Sequence, residues 1–407
     1  MHETGIEGYY AVRDGKKLYY GYTTGTCAAA AAKAAALMLA TGQIPLYVDL
    51  LTPKGIALSL EVLEPELQPR RARCAIRKYS GDDPDVTDGV LVYADVTLEE
   101  TPGITVDGGE GVGRVTKPGL KQAIGEAAIN PVPKRMIAEA LERVSEDYGI
   151  TAGLKAVISI PAGVELAKRT FNPRLGIVGG ISVLGTSGIV EPMSEAALVE
   201  SIGLELRQKY ALGCRRIIIA PGNYGADFIR SLCHVEETEL VKCSNFIGQT
   251  IDMAVSAGFS ELLFVSHIGK FIKLTGGIMN THSREADARA ELMAACALRA
   301  GSTAETARRL LDCLTTDEML EVLRAAGLLE KTMAVAAQRV DYYLNYRAKG
   351  QITIGAAVFS NETGMLFTTG PAPEWLAELK ADEEKSNKNT EERTRFILSE
   401  RAAAPWT

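Results

Sequence analysis

The apolar and polar positions of this chain fall into two regimes. In the first ~150 residues, short stretches rich in β-formers are separated by turns: Leu46–Leu51, Ile56–Val62, Arg73–Lys78 and Val90–Val96. Ahead of them runs an alanine-rich stretch, Ala28 to Ala40, interrupted only by Lys33, Leu37, Met38 and Leu39. Alanine is the best helix former and threonine a good N-cap. A helix is therefore expected to begin near Thr24–Cys27 and to lie across a twisted sheet. Its small side chains permit close approach.

A glycine-rich stretch follows, Asp107-Gly108-Gly109-Glu110-Gly111-Val112-Gly113-Arg114, and then Thr116-Lys117-Pro118-Gly119 and Ile129-Asn130-Pro131-Val132-Pro133. Apolar residues punctuate it, which reads as an ordered interdomain loop region. Pro133 suits the first position of a helix running to about Val144.

From ~152 onward, strands alternate with helical patterns, as in a parallel sheet with crossovers. Four apolar strands run straight into glycine-containing polar loops. Ala156–Ile160 leads to Pro161-Ala162-Gly163, and Ile181–Leu184 to Gly185-Thr186-Ser187-Gly188. Arg216–Ala220 leads to Pro221-Gly222-Asn223-Tyr224-Gly225, and Leu262–Val265 to Ser266-His267-Ile268-Gly269-Lys270. In an open parallel sheet such loops share one rim, where ligands sit. An enzyme acting on small or medium-sized ligands is the leading expectation.

Helices are predicted at roughly 194–210, 246–257, 284–299, 303–312, 317–326 and 329–347, and a further strand at Ile352–Phe359. The expected division is an α+β domain over 1–150, an α/β domain over 151–375, and a charged tail over 376–407, frayed or partly disordered from Ala381.

Length changes the picture little: 407 residues fit two domains, since single cores rarely exceed ~250–300 residues. The net charge of −7 argues against general nucleic-acid binding, which wants a basic face. No signal-like segment or charge-free apolar run of ~18 residues is evident, so neither export nor a membrane span is expected. Seven cysteines, none in a Cys-x-x-Cys pair, read as free thiols in a reducing cytoplasm.

Several clusters carry candidate chemistry. Thr23, Thr24 and Thr26 put three hydroxyls at a helix N-terminus, which attracts carboxylate or phosphate, although capping alone needs one of them. Ser80 to Gly89 gathers four carboxylates but lacks calcium-loop spacing, so a polar turn is the better reading. The glycines at 109, 111 and 113 lack dinucleotide-fingerprint spacing. His267 and Lys270 stand on the proposed rim and His282 lies ahead of a helix, while Lys273 fits a solvated helix face. Lys168, Arg169 and Arg174 form a basic segment suited to carboxylates or to surface ion pairs.

Taken together, Gly21–Lys33, Gly81–Gly89, Val115–Leu120, Ile129–Pro133, Phe171–Gly180, Leu184–Glu195, Pro221–Gly225, Ser244–Gly248 and His267–Ser283 resemble the cobalt-precorrin-5B C1-methyltransferase family of anaerobic cobalamin biosynthesis. The match is ordered and spans about 20 to 365. Asp88 departs from the family pattern, where a histidine stands, as do Ala127 for proline and Ser266 for glycine.

The resemblance implies a two-domain α/β protein: an N-terminal α+β domain of ribosomal-protein S5 type and a Rossmann-like, mostly parallel domain. It implies transfer of a methyl group from S-adenosylmethionine to C-1 of cobalt-precorrin-5B, giving cobalt-precorrin-6A. The partner is then a small corrinoid. Cobalt arrives within it, so no protein-held metal is expected, and homo-oligomer formation stays open.

On that reading the donor is expected near Gly179, Gly180, Gly185, Thr186, Ser187, Gly188, Gly222 and Asn223. The macrocycle's carboxylate arms are expected at Thr23, Thr24, Thr26, Lys117, Arg174, Lys270 and His282, with His267 also among their candidate partners. His267 is the first choice of acid/base and Glu191 the second. Two other classes fit the same loops: a hydrolase or acyltransferase with Thr24 or Thr26 as nucleophile, and a non-catalytic corrinoid or nucleotide carrier.

Overall fold

The computed structural model describes residues 2–381, apart from positions 14 and 236. The expected charged tail lies outside the described residues beyond 381. The chain divides into two compact units at the 195/196 junction rather than at 150/151.

In the first unit the alanine run forms the helix Thr24–Thr41. Thr23 caps it, its hydroxyl accepting the Thr26 N–H at 3.2 Å, and Gly42 ends it at φ 70°. Its side chains are buried nearly all round, from Cys27 to Ala36 with only Lys33 less covered, and again at Met38. By length and composition this helix could cross a membrane, but here it is the core helix of the unit.

It packs on strands Arg71–Arg77 and Leu91–Glu99 and on the helix Pro131–Tyr148. That second helix starts two residues before Pro133, with Pro131 at its beginning and Asn130 as the cap residue.

The sheet runs in the order Leu63–Gln68, Arg71–Arg77, Leu91–Glu99, Gly153–Ser159, Ile104–Gly108. Strand 153–159 pairs antiparallel with 91–99, Ile158 facing Ala94, and parallel with 104–108, Ala156 facing Val106. This corrects the sequence reading, which gave Ala156–Ile160 to the second domain. Long-range pairing, absent from any local pattern, decides its sheet.

The glycine-rich stretch is likewise internal to the first unit. Gly111–Val112 pairs with Gly180–Ile181, and Arg114–Val115 with Ile177–Val178. Gly111 sits at φ 72°, and a Cβ there would overlap the Ile160 carbonyl, so only glycine fits.

The second unit holds an open five-stranded sheet in the order Leu240–Lys242, Arg216–Ala220, Glu261–His267, Thr353–Ser360, Gly364–Thr369. The first four strands are parallel and the last returns antiparallel. Alternation along the strands splits the core in two. Ile217, Ile219, Leu262, Phe264, Ile354 and Val358 join one cluster with the helices Glu195–Ala211, Ile247–Ala257, Arg289–Arg299, Ala304–Leu311, Thr316–Ala325 and Leu329–Ala348. Ile218, Leu263, Val265 and Phe359 join another with the helix Asn223–Cys233 and the segment 372–381. The strands are thus buried on both faces, as a parallel sheet requires.

Candidate functional site

From strand 216–220 the chain runs through helix 223–233 to strand 240–242 on one side. It then crosses back through helix 247–257 to strand 261–267 on the other, and continues outward to 353–360. The connections leaving the adjacent strands 216–220 and 261–267 therefore diverge. A crevice opens outside the carboxyl ends of such strands.

The loops at that point bring together Gly222, Asn223, Tyr224, His267 and Lys270. Gly222 holds φ 107°, outside the range of ordinary L residues, and lets the strand turn directly into helix 223–233. No side chain caps that helix, and its dipole faces the crevice. Asn223 is held by Lys242, whose ammonium donates to its Oδ1 at 3.1 Å. Tyr224 is exposed, with its ring 5.9 Å from that of His267.

His267 ends strand 261–267. Its Nδ1 accepts the Gly269 N–H at 3.1 Å, which places the neutral ring's proton on Nε2. Its ring stands edge-on to Phe359 at 5.7 Å. Burial holds its pKa below the ordinary histidine value, against the opposing pull of Asp317.

Lys270 donates to the Ser244 carbonyl at 3.1 Å, and a Cβ on Gly222 would lie 3.5 Å from its ammonium. Burial lowers its pKa too. Ser244 adopts φ 52°, a left-handed conformation at the turn that supplies this acceptor.

His282 lies on the neighbouring strap. Thr281 N–H donates to the Asn245 carbonyl at 3.0 Å, and Asn280 pairs with Phe246. The His282 Nδ1 accepts the Arg284 N–H at 3.1 Å. Lys273 is no solvated residue. It is 3% exposed and donates to the carbonyls of Thr281 at 3.1 Å and Ala286 at 2.8 Å, fixing that strap.

The other expected site residues lie in the first unit. Thr24 donates to the Leu184 carbonyl at 3.3 Å and accepts the Leu184 N–H at 3.1 Å. The buried Thr26 hydroxyl donates to the Gly188 carbonyl at 2.6 Å, and Thr23 N–H donates to the same oxygen at 3.1 Å. The three threonines thus stitch the 184–188 segment to the helix tip.

Gly180, Gly185 and Gly188 pack closely on other chain segments, and the Ser187 hydroxyl donates to the Ile189 carbonyl at 3.0 Å. Gly179 and Thr186 are exposed. Glu191 forms an ion pair with Lys54. Lys117 and Arg174 are both exposed; the stem of Lys117 adjoins Gly176, and the Arg174 guanidinium lies 5.6 Å from the Phe171 ring.

The expectation of four loops on one parallel rim is therefore corrected. Loops 221–225 and 266–270 share a rim. Loops 161–163 and 185–188 belong to the first unit, whose sheet is built around antiparallel pairs. The carboxylates of 80–89 form a polar turn: Asp88 accepts the Ser80 N–H at 2.7 Å and Asp85 the Thr87 N–H at 2.8 Å. Among the described residues, no group of three His, Cys, Asp or Glu stands ready to hold a metal ion.

Sequence reasoning missed helix 223–233, and with it the placing of Tyr224 at a helix start. It also missed Lys242 and Asp317, and took Ser244 only as part of the Ser244–Gly248 match. The spacing of Ala226, Ile229 and Cys233 was a helical signal; Lys242 and Asp317 carried none.

Comparison with known proteins adds a family. The profile described as CbiD matches residues 11–192, and that described as CbiD, C-terminal domain, matches 280–370. A protein of Ruminiclostridium cellulolyticum named cobalt-precorrin-5B C(1)-methyltransferase is 45% identical over 381 residues, covering 92% of this chain and 99% of the relative. Proteins of the same name from Thermoanaerobacter sp. and Citrobacter koseri are 46% and 41% identical, each over 90% of this chain and over 99% and 97% of the relative. A crystal structure of the cobalamin biosynthesis protein cbiD from Archaeoglobus fulgidus aligns with 29% identity and a TM-score of 0.38, covering 70% of this chain and 89% of that one.

Proposed function

The chain belongs to the CbiD family, and from that premise we propose that it transfers a methyl group from S-adenosylmethionine to C-1 of cobalt-precorrin-5B in cobalamin biosynthesis. The observation that carries this reading is the similarity along nine-tenths of the chain to relatives bearing that name. The open sheet of the second unit, with four parallel strands and helices on both faces, supports a Rossmann-like description of that unit.

The donor supplies an electrophilic methyl on a sulfonium, and the residues at the switch point suit such a ligand. Gly222 leaves room above the rim. The uncapped start of helix 223–233 favours a carboxylate, and the exposed Tyr224 offers an aromatic face. We assign the donor to this crevice, with Gly222 and Asn223 as its principal contacts.

Among the glycine-loop residues of the first unit, Gly180, Gly185 and Gly188 are accounted for by packing. Gly179 and Thr186 are free to meet a ligand. Lys270 and His282, beside the donor crevice of the second unit, are the proposed partners of the macrocycle's acetate and propionate arms.

Little covalent chemistry is asked of the protein. Holding the nucleophilic carbon and the methyl at ~3–3.5 Å in a water-poor crevice supplies much of the acceleration. His267 presents Nε2–H and so acts first as a hydrogen-bond donor that orients a bound group. Glu191, paired with Lys54, is the weaker acid/base candidate. The committed bonds and burial of Thr26 weigh against a threonine nucleophile.

Calorimetry with S-adenosylhomocysteine, followed by turnover of cobalt-precorrin-5B with S-adenosylmethionine, tests the proposal. Saturable binding that weakens in Asn223→Ala, together with methylated product, is expected. Absence of both from the wild-type protein overturns it.

A further inference from the structure

Within the second unit, one half-buried carboxylate has no part in the mechanism above. Asp317 lies in the first turn of helix 316–325, yet it does not cap that helix. Thr315 does so, with Glu318 completing a reciprocal pair of bonds. The Asp317 Oδ1 is buried without a hydrogen-bond partner. A buried carboxylate oxygen left unpaired is costly, and it calls for an explanation in another state of the protein.

The same helix turn packs on the His267 turn. A Cβ on Gly269 would lie 3.2 Å from His267 Nδ1 and 3.5 Å from Thr316 Oγ1, and Asp317 acts electrostatically on His267. Nδ1 holds its lone pair against the Gly269 N–H. A proton taken from water at Nδ1 would set two donors face to face. The ring must then leave Gly269 and find an acceptor.

Of the groups named around the ring, only Asp317 holds a buried oxygen without a hydrogen-bond partner. Lys270 on the same turn and Lys242 across the crevice are cations, and Tyr224 meets the ring only at 5.9 Å. Phe359 carries no charge, and the Oε2 of the exposed Glu318 is taken up by the N–H groups of Leu314 and Thr315.

We propose that Asp317 is a positioning residue for His267: it receives the imidazolium when the bond to Gly269 is released, giving the 267–270 turn two hydrogen-bonded arrangements. The neutral arrangement keeps Nε2–H toward the crevice. The protonated one pairs His267 with Asp317 and shifts the turn that carries Lys270. The consequence for turnover rests on the methyl-transfer reading; the two arrangements do not.

The test is made on the full-length protein without ligand. Histidine side chains and glycine amides are isotope-labelled and followed by NMR across a pH titration, with His267 and Gly269 identified from His267→Gln and Gly269→Ala. In the wild type the Gly269 amide resonance is expected to move together with the His267 titration. In Asp317→Asn the His267 titration is expected at lower pH, and Asp317→Glu should restore it toward the wild-type position. The acid limb of the methyl-transfer pH profile should follow in the same direction.

A Gly269 resonance indifferent to His267 protonation overturns the proposal, and does so without any variant at 317. An unchanged His267 titration in a folded Asp317→Asn overturns it equally. Failure of the methyl-transfer reading would show instead as wild-type protein that binds no S-adenosylhomocysteine.

Discussion

Lys78 is buried in the first unit with its ammonium 2.7 Å from the carboxylate of Asp85. The Ser80 hydroxyl takes a second of its protons, and Asp85 also accepts the N–H and hydroxyl of Thr87 at 2.8 and 2.7 Å. This pair ties the carboxylate-rich turn to the end of strand 71–77. Removing one partner strands the other, which typically costs about 3–5 kcal/mol. Asp85→Ala is expected to destabilise the protein on that scale in urea unfolding, and a loss below about 1 kcal/mol would show the pair to be superficial.

The same pair sets a pH dependence. Burial raises the Asp85 pKa, but Lys78 and the Thr87 bonds outweigh it, and the carboxyl titrates below its ordinary value of 3.8. A depressed acid contributes stability that is complete above the unfolded value and is lost as pH falls through the folded one. The stability gap between wild type and Asp85→Asn should therefore narrow below about pH 4. A gap that is flat down to pH 2.5 or so would contradict this.

Thr26 offers a way to separate a structural from a ligand-binding threonine. Its hydroxyl is buried and donates to Gly188 at 2.6 Å. The Gly188 carbonyl keeps the Thr23 N–H, so Thr26→Val should cost about 0.5–1.5 kcal/mol of stability. Turnover measured well below the melting transition should change little. A large fall in kcat with unaltered stability would return Thr26 to the ligand site.

Gly222 is the sharpest steric test of the crevice. Alanine there must hold φ near 107°, a strain of about 1–3 kcal/mol, while its methyl meets Lys270 at an ordinary contact distance. Gly222→Ala is expected to fold, with a lowered Tm, and to bind S-adenosylhomocysteine at least about tenfold more weakly, a loss near 1.4 kcal/mol. Unaltered affinity by calorimetry would move the donor elsewhere.

Lys273 predicts a local effect. Lys273→Met leaves the Thr281 and Ala286 carbonyls without their buried donor, at about 1–3 kcal/mol. Amide exchange should quicken across 280–287 more than in strand 261–267. Uniform acceleration everywhere would show that Lys273 stabilises the unit globally instead.

The local elements were largely legible in the sequence, because period and capping are written locally. Helices expected at 246–257 and 329–347 occur as Ile247–Ala257 and Leu329–Ala348, and the alanine helix begins at Thr24. What escaped was partnership between distant segments. Nothing near Ala156 says that its neighbours are Val96 and Val106. Nor does anything near Asp317 point to His267. Helix 223–233 was overlooked for a different reason: Gly222, Asn223 and Gly225 are poor helix formers, and the close packing of Gly225 against Val265 overrides that propensity.

The alanine helix has a consequence for synthesis of the chain. Residues 24–41 leave the ribosome early, yet the helix 131–148 that covers them comes much later, and strand 153–159, which completes the sheet, later still. Until residue 159 has emerged, an apolar segment stands uncovered, and nascent chains halted before that point should be the ones that chaperones hold.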